Sequence, residues 1–275
     1  MKNIISIALV LLVQVTASFA LEENWLGEKP EWMPEVSLTD SFYTKYIWRG
    51  QNLGNEPVMQ TDFSLSKGGF TFDLWTNYSL NNDKTVDGGR FEEYTEIDYN
   101  IDYTFSLGEM LGKVGVEAEK LDPMSLSLGY TYYTFPNVNW DSKGFDTHEV
   151  YLGVAYDILL QPYLKWYWDV DSGKGVAGEG TGNGSYYLAG IGHTFEFDET
   201  GITADIGMSI AYNDQQWTHK SGWSDMNFSG SVSIPVLTYF TISPSVGYSV
   251  ILDEDVYSGA QENEFYGGLS IGFAY

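Results

Sequence analysis

The side chains able to do acid–base, nucleophilic or metal chemistry are few and scattered. The chain has 3 histidines and no cysteine. His148 precedes Glu149, His193 closes Gly190-Ile191-Gly192-His193, and His219 opens His219-Lys220-Ser221. A general base must lie within hydrogen-bond reach of its nucleophile, and no spacing here enforces that, so no enzyme is expected. Asp169-Val170-Asp171-Ser172-Gly173 opens like a calcium loop, but its glycine is misplaced and Gly180 stands where the closing Glu belongs. The acidic runs Asp253-Glu254-Asp255 and Glu262-Asn263-Glu264 read as solvated loop, so neither a metal nor a cofactor is expected. Without cysteine there is no disulfide, thiolate site or lipid-anchor site.

What remains is charge, placed on elements of one kind. From Val36 the chain alternates apolar and polar residues in twelve segments: 36–48, 57–66, 69–80, 93–106, 124–135, 147–156, 159–170, 185–196, 201–213, 224–234, 238–251 and 263–275. Period-2 alternation marks strands with one apolar face. In the fourth segment Thr95, Ile97, Tyr99, Ile101, Tyr103 and Phe105 oppose Glu96, Asp98, Asn100, Asp102 and Thr104. A tilted membrane-spanning strand needs about 9–11 residues, whereas globular strands peak near 5–6. Most of these segments have the longer length.

The links alternate as well. Segments 49–56, 81–92, 136–146, 171–184, 214–223 and 252–262 are long and polar, while 67–68, 157–158, 197–200 and 235–237 are tight. Long loops on one side and short turns on the other are the asymmetry of an outer-membrane barrel. The link 107–123 breaks this rule, and a short helix near Gly108–Leu111 or strand extensions through Val114–Ala118 would account for it. The last residues, Leu269-Ser270-Ile271-Gly272-Phe273-Ala274-Tyr275, alternate to the terminus and end on an aromatic ring. That suits a closing strand with its last ring in an interfacial girdle. The fold expected is therefore all-β, an up-and-down antiparallel transmembrane β-barrel of about twelve strands.

Targeting and composition agree. Met1-Lys2-Asn3, the apolar run Ile4 to Val13 and Ser18-Phe19-Ala20 read as a signal peptide cut after Ala20. Residues 21–35 read as a periplasmic lead-in, with Trp25 and Trp32 able to tuck into the barrel mouth, and 36–275 as the barrel. No other segment approaches twenty apolar residues. With 13 Lys and Arg against 38 Asp and Glu, nucleic acid is not a partner. The 21 Tyr, 15 Phe and 9 Trp argue against disorder and for aromatic belts. The implied setting is a Gram-negative outer membrane, with lipid as one partner and the assembly machinery, meeting Tyr275, as another.

If the apolar faces meet lipid, the polar faces line the lumen. The lumen candidates are then Lys45, Arg49, Asp62, Asp73, Glu96, Asp98, Asp102, Glu149, Lys165 and Asp169, with Asp205 and Asp225 farther along. Lys45 and Arg49, four apart on one strand face, would pair across the lumen with acids such as Glu96 or Asp98, or form an eyelet of crossed charges. The last four strands turn mainly Gly and Ser inward, including Gly207, Ser209, Ser229, Ser245 and Gly272. Bulky groups on the first wall can fill that space, or a narrow passage can remain; a plugged barrel and a channel both stay open.

Within residues 36–106 lies a more specific pattern. Tyr46-Ile47-Trp48-Arg49-Gly50-Gln51, then Pro57, Gln60 and Asp62, then Gly68-Gly69-Phe70, Trp75 and Glu96-Ile97-Asp98, resembles the TorF-type porin family. The remainder matches only as barrel pattern. The resemblance implies an outer-membrane channel for passive diffusion of small polar solutes. The excess of inward carboxylates adds an expected preference for cations.

Overall fold

The computed structural model describes residues 27, 29–80, 94–115, 119–136, 146–170, 183–197, 200–218 and 220–275. The export signal, Trp25, Gly180, His219 and most of the 81–92, 136–146 and 171–184 loops lie outside those residues.

Twelve strands close into one antiparallel barrel. They are β1 (Glu35–Tyr43), β4 (Val58–Lys67), β5 (Phe70–Ser79), β6 (Tyr94–Ser106), β7 (Met124–Thr134) and β8 (Thr147–Tyr156), followed by β9 (Tyr163–Asp169), β10 (Ser185–Phe197), β11 (Ile202–Asp214), β12 (Gly222–Leu237), β13 (Phe240–Ile251) and β14 (Glu264–Ala274). Neighbours in sequence pair throughout, and β1 closes the sheet against β14 with Ser37 opposite Ala274 and Tyr43 opposite Gly268. Val36 and Tyr275 exchange both backbone hydrogen bonds at the seam, each 2.9 Å. The Tyr275 ring meets Tyr239 edge-on at 5.5 Å, beside the Phe240–Phe273 pair. The terminal aromatic thus sits in a cluster at the short-turn end.

Alternation sorts the two faces. Leu38 and Phe42 are exposed on the outside, whereas Ser41 between them is buried and bonded to Ser270 inside. Ile101 (53% exposed), Ile206, Val246 and Phe265 continue the outer apolar band. One carboxylate interrupts it. Asp40 lies between Leu38 and Phe42 on the outward face and accepts a 2.6 Å hydrogen bond from Thr61 Oγ1. The apolar pattern of β1 does not announce this residue, and its neighbour's hydroxyl is what satisfies it.

Two links differ from expectation, and a third, 107–123, takes the short-helix form that is one of its two alternatives. β1 stops at Tyr43 instead of running to Trp48: β2 (Tyr46–Trp48) turns away and pairs with β3 (Gln51–Gly54) as a separate hairpin. The reason is local, because Tyr46-Ile47-Trp48 places three large residues in succession and Arg49-Gly50 adopts left-handed φ values of 48° and 76°. The turn expected at 157–158 runs from Asp157 to Pro162. Pro162 has no N–H to give to the ladder, and Leu160 and Gln161 have φ of 68° and 37°, so pairing resumes only at Tyr163. The long 107–123 link holds helix α1 (Leu107–Lys113) and a single 3-10 turn, Glu119–Leu121. Ser106 caps α1 by accepting from Glu109 N at 3.3 Å, with Glu109 in the first turn and Lys113 in the last, in keeping with the helix dipole. Val116–Ala118 are outside the described residues.

Candidate functional site

The β2–β3 hairpin leaves β1 at the long-loop end and its tip folds back onto the lumen walls. Arg49 at the tip gives two hydrogen bonds to the Glu149 carboxylate on β8, at 2.7 and 2.8 Å. It also donates to Gln216 Oε1, and its guanidinium lies over Trp48, Tyr167 and Tyr186, 4.3–4.8 Å from each centroid. Gln216 in turn donates to Glu149 at 2.7 Å. Tyr257, from the last long loop, gives its hydroxyl to the Arg49 carbonyl at 2.8 Å. Next to it, a Cβ on Gly50 would stand 2.6 Å from Asp225 Cβ, so only glycine fits at the tip.

Gln216 is aimed by its own loop. Asn213, fully buried, accepts from Gln216 N at 2.7 Å and from Thr218 Oγ1 at 3.1 Å, and its amide donates to Gln216 O at 3.0 Å. Gln215 and Trp217 on either side take left-handed φ near 55°. At the rim Lys220 donates to Asp255 at 2.8 Å, which holds the Asp255 carboxyl below its usual range and the Lys220 amine above its own.

Lys45 and Arg49 do not share a strand face. Lys45 lies between β1 and β2 and donates to Glu264 at the head of β14. Arg49 is paired with Glu149, not with Glu96 or Asp98. Among the other lumen candidates, Glu96 accepts from Tyr46 Oη at 2.7 Å, and Asp98 lies between Trp75 and Tyr133 in register. Asp102 takes the Tyr151 hydroxyl, Asp169 takes Thr147 Oγ1 at 2.7 Å, and Lys165 Nζ lies 5.5 Å from the Tyr151 ring. Asp62 stands opposite Thr39 and Trp75, and Asp73 opposite Ser64 and Asn100. The structure therefore gathers Arg49, Glu149, Glu96 and Asp98 under the hairpin, while Asp62, Asp73 and Lys45 lie apart from that group. Gln216, Asn213 and Tyr257 are site residues that strand periodicity misses, since all three act from loops or loop edges. No signal in the sequence points to them, and strand periodicity sets Arg49 itself on a strand face instead of at the hairpin tip.

Below the tip is a cavity of about 430 Å³ whose lining includes Trp48, Tyr133, Glu149, Tyr151, Lys165 and Tyr266. Around the barrel, tyrosines lie over glycines directly opposite on the neighbouring strand. A Cβ on Gly190 would come within 2.3 Å of Tyr163, and one on Gly247 within 2.3 Å of Tyr266. Tyr43 over Gly268 and Tyr151 over Gly129 repeat the arrangement. Each pair is directly opposite in register. The rings cover backbone instead of reaching across the lumen.

Of the histidines, His148 accepts or donates at 2.6 Å with Tyr130 Oη and stacks on Tyr132, and His193 meets Phe195 edge-on at 4.6 Å. Both sit on strands among aromatic rings, with no serine or threonine hydroxyl in these contacts.

No protein-family model matches the chain, nor does any curated protein match it by sequence. Solved structures do match in fold. The NanC porin aligns over 86% of this chain and 98% of its own, with a TM-score of 0.50 and 12% identity. An outer-membrane channel from Pseudomonas putida F1 aligns over 90% of this chain and 100% of its own, with a TM-score of 0.51 and 11% identity. The class is thus a transmembrane β-barrel of the porin-like architecture. At such identity the likeness is one of fold.

Proposed function

We propose that this protein is an outer-membrane porin-like channel of the TorF type, passing small polar solutes and preferring cations. The observation that carries the preference is the fate of the cations. Lys45 and Arg49 are both bound to carboxylates, and of the lumen candidates only Lys165 remains as an unbridged cation, against Asp62, Asp73, Asp98, Asp102 and Asp205 without a bridge to Lys or Arg among the described residues. Rings of carboxylates in a narrow, low-dielectric passage concentrate cations and repel anions. The long loops then face the cell exterior and the tight turns the periplasm, in keeping with barrels of this class.

The test is the reversal potential across a salt gradient in a planar bilayer. The expected sign is that of cation selectivity, weakening toward neutrality when Glu96, Asp98 and Asp102 are replaced together by Gln, Asn and Asn. An anion-selective potential would overturn the reading. A plugged barrel acting through its loops is the second reading, favoured by the burial of Arg49 and Glu149 beneath the hairpin. Absence of any conductance selects it.

A further inference from the structure

Five carboxylates are buried on the lumen side at the long-loop end: Glu96, Asp98, Glu149, Asp169 and Asp225. Four of them have donors. Asp225, with no exposed surface, accepts from Tyr186, Tyr257, Ser224 and Asn227 at 2.6–3.2 Å. Glu149 takes the Arg49 guanidinium and the Gln216 amide, Asp169 takes Thr147, and Glu96 takes Tyr46. Asp98 is the exception. It is 7% exposed, and its Oδ1 is buried and meets no donor of the protein. A buried carboxylate oxygen without a donor is costly, and in native proteins such a group is answered by a proton, an ion or water.

The surroundings of Asp98 define what can answer it. Glu96 lies two residues away on the same face of β6. Trp75 on β5 and Tyr133 on β7 stand directly opposite Asp98 in register. From the hairpin, Tyr46 packs on Trp75 at 5.8 Å and Trp48 on Tyr133 at 6.2 Å. Among the described residues the one guanidinium is that of Arg49, which is committed to Glu149. No Lys or Arg of the described residues bridges to Glu96 or Asp98. Nor do three carboxylate or imidazole side chains converge among the described residues, as a divalent ion would ask. Two carboxylates, a phenol oxygen and aromatic faces suit a singly charged ion.

We propose that Glu96 and Asp98 form a binding site for a monovalent inorganic cation, sodium or potassium, roofed by the β2–β3 hairpin. This deepens the cation-preferring reading by naming where the ion rests. Because Glu96 also holds the Tyr46 hydroxyl, ion occupancy and hairpin docking reinforce each other.

The experiment is thermal unfolding of the full-length protein in detergent, followed by tryptophan fluorescence at pH 8. It is run in sodium, potassium and N-methyl-D-glucamine chlorides of equal ionic strength. A midpoint raised by about 2–4 °C in sodium or potassium, saturating with concentration, is expected for a site well above its Kd. Asp98→Asn should abolish the difference, and the exposed-loop variant Asp255→Asn should keep it. Thallous-ion NMR on the wild type, read as one bound ion per chain displaced by potassium, keeps the proposal testable should Asp98→Asn fail to fold. Equal midpoints in all three salts would overturn the site. So would a midpoint that rises with falling pH alike in every salt, since that places a proton on Asp98. An ion-dependent midpoint without conductance retains the site and discards the channel, while cation-selective conductance without ion dependence does the reverse.

Discussion

On β6 to β9 the inward positions carry Glu96, Asp98, Tyr133, Glu149 and Tyr167, whereas on β11 to β13 they carry Gly207, Ser209, Ser229, Ser245 and Gly247. The two walls meet the lumen differently. On the first, acids and rings converge on the β2–β3 hairpin, where Arg49 meets Glu149 and Tyr46 meets Glu96. On the second, small residues face inward and the ring of Tyr266 lies flat over Gly247. The contrast lies in where the bulk is placed. On one wall bulk is used to dock a loop at one end, while the opposite wall keeps its side chains close to its own backbone.

Breaking the docked wall should give the largest effect. Arg49→Ala leaves Glu149 buried without its partner, a change expected to cost about 3–5 kcal/mol. Chemical denaturation should register the loss, and single-channel conductance should rise as the hairpin is freed. Unchanged conductance with lowered stability would mean that the hairpin does not narrow the passage.

The comparison also presupposes which face meets lipid. Ile101→Arg places a charge on the outer band and should cost about 2–4 kcal/mol if the residue is near the midplane. Heat-modifiable migration and folded yield read this directly; a variant that folds like the wild type would invert the faces.

A smaller effect is expected on the bare wall. Gly247→Ala sets a methyl 2.3 Å from the Tyr266 ring and must push that ring toward the lumen. Overpacking of this kind costs about 1–3 kcal/mol. Conductance should fall, the opposite sign to Arg49→Ala, and equal signs would erase the distinction between the walls.

The smallest effect concerns the outer band itself. Replacing Asp40 by Leu together with Thr61 by Val removes both partners of a hydrogen bond in apolar surroundings. The pair should be close to neutral or slightly stabilising in equilibrium unfolding, whereas Thr61→Val alone, which strands the Asp40 carboxylate, should destabilise by about 1–3 kcal/mol.

Strand number, strand faces and barrel closure were legible because they rest on a two-residue period that every segment repeats. Ser41 and Leu38 declare opposite faces wherever the strand is placed, and the chain order fixes hairpin neighbours. Asp40 and the 157–162 turn escaped that reading. Asp40 breaks the pattern for a single position, and Pro162 with left-handed Leu160 and Gln161 ends the pairing through backbone geometry, not hydrophobicity.

The site was legible in composition and illegible in pairing. Sequence alone determined that Arg49 stands in an acid-rich lumen, but it set Arg49 with Lys45 on one strand face, whereas the structure puts it at a hairpin tip. Nor could sequence say that Arg49 meets Glu149, 100 residues away, in preference to Glu96 or Asp98. That choice follows from where the hairpin lands after leaving β1, from the Asn213-braced loop that brings Gln216 beside it, and from the Tyr257 hydroxyl that fixes the tip. Periodicity is a local property of the chain. Charge pairing across a barrel depends on closure and register together, and these exist only once the sheet has closed.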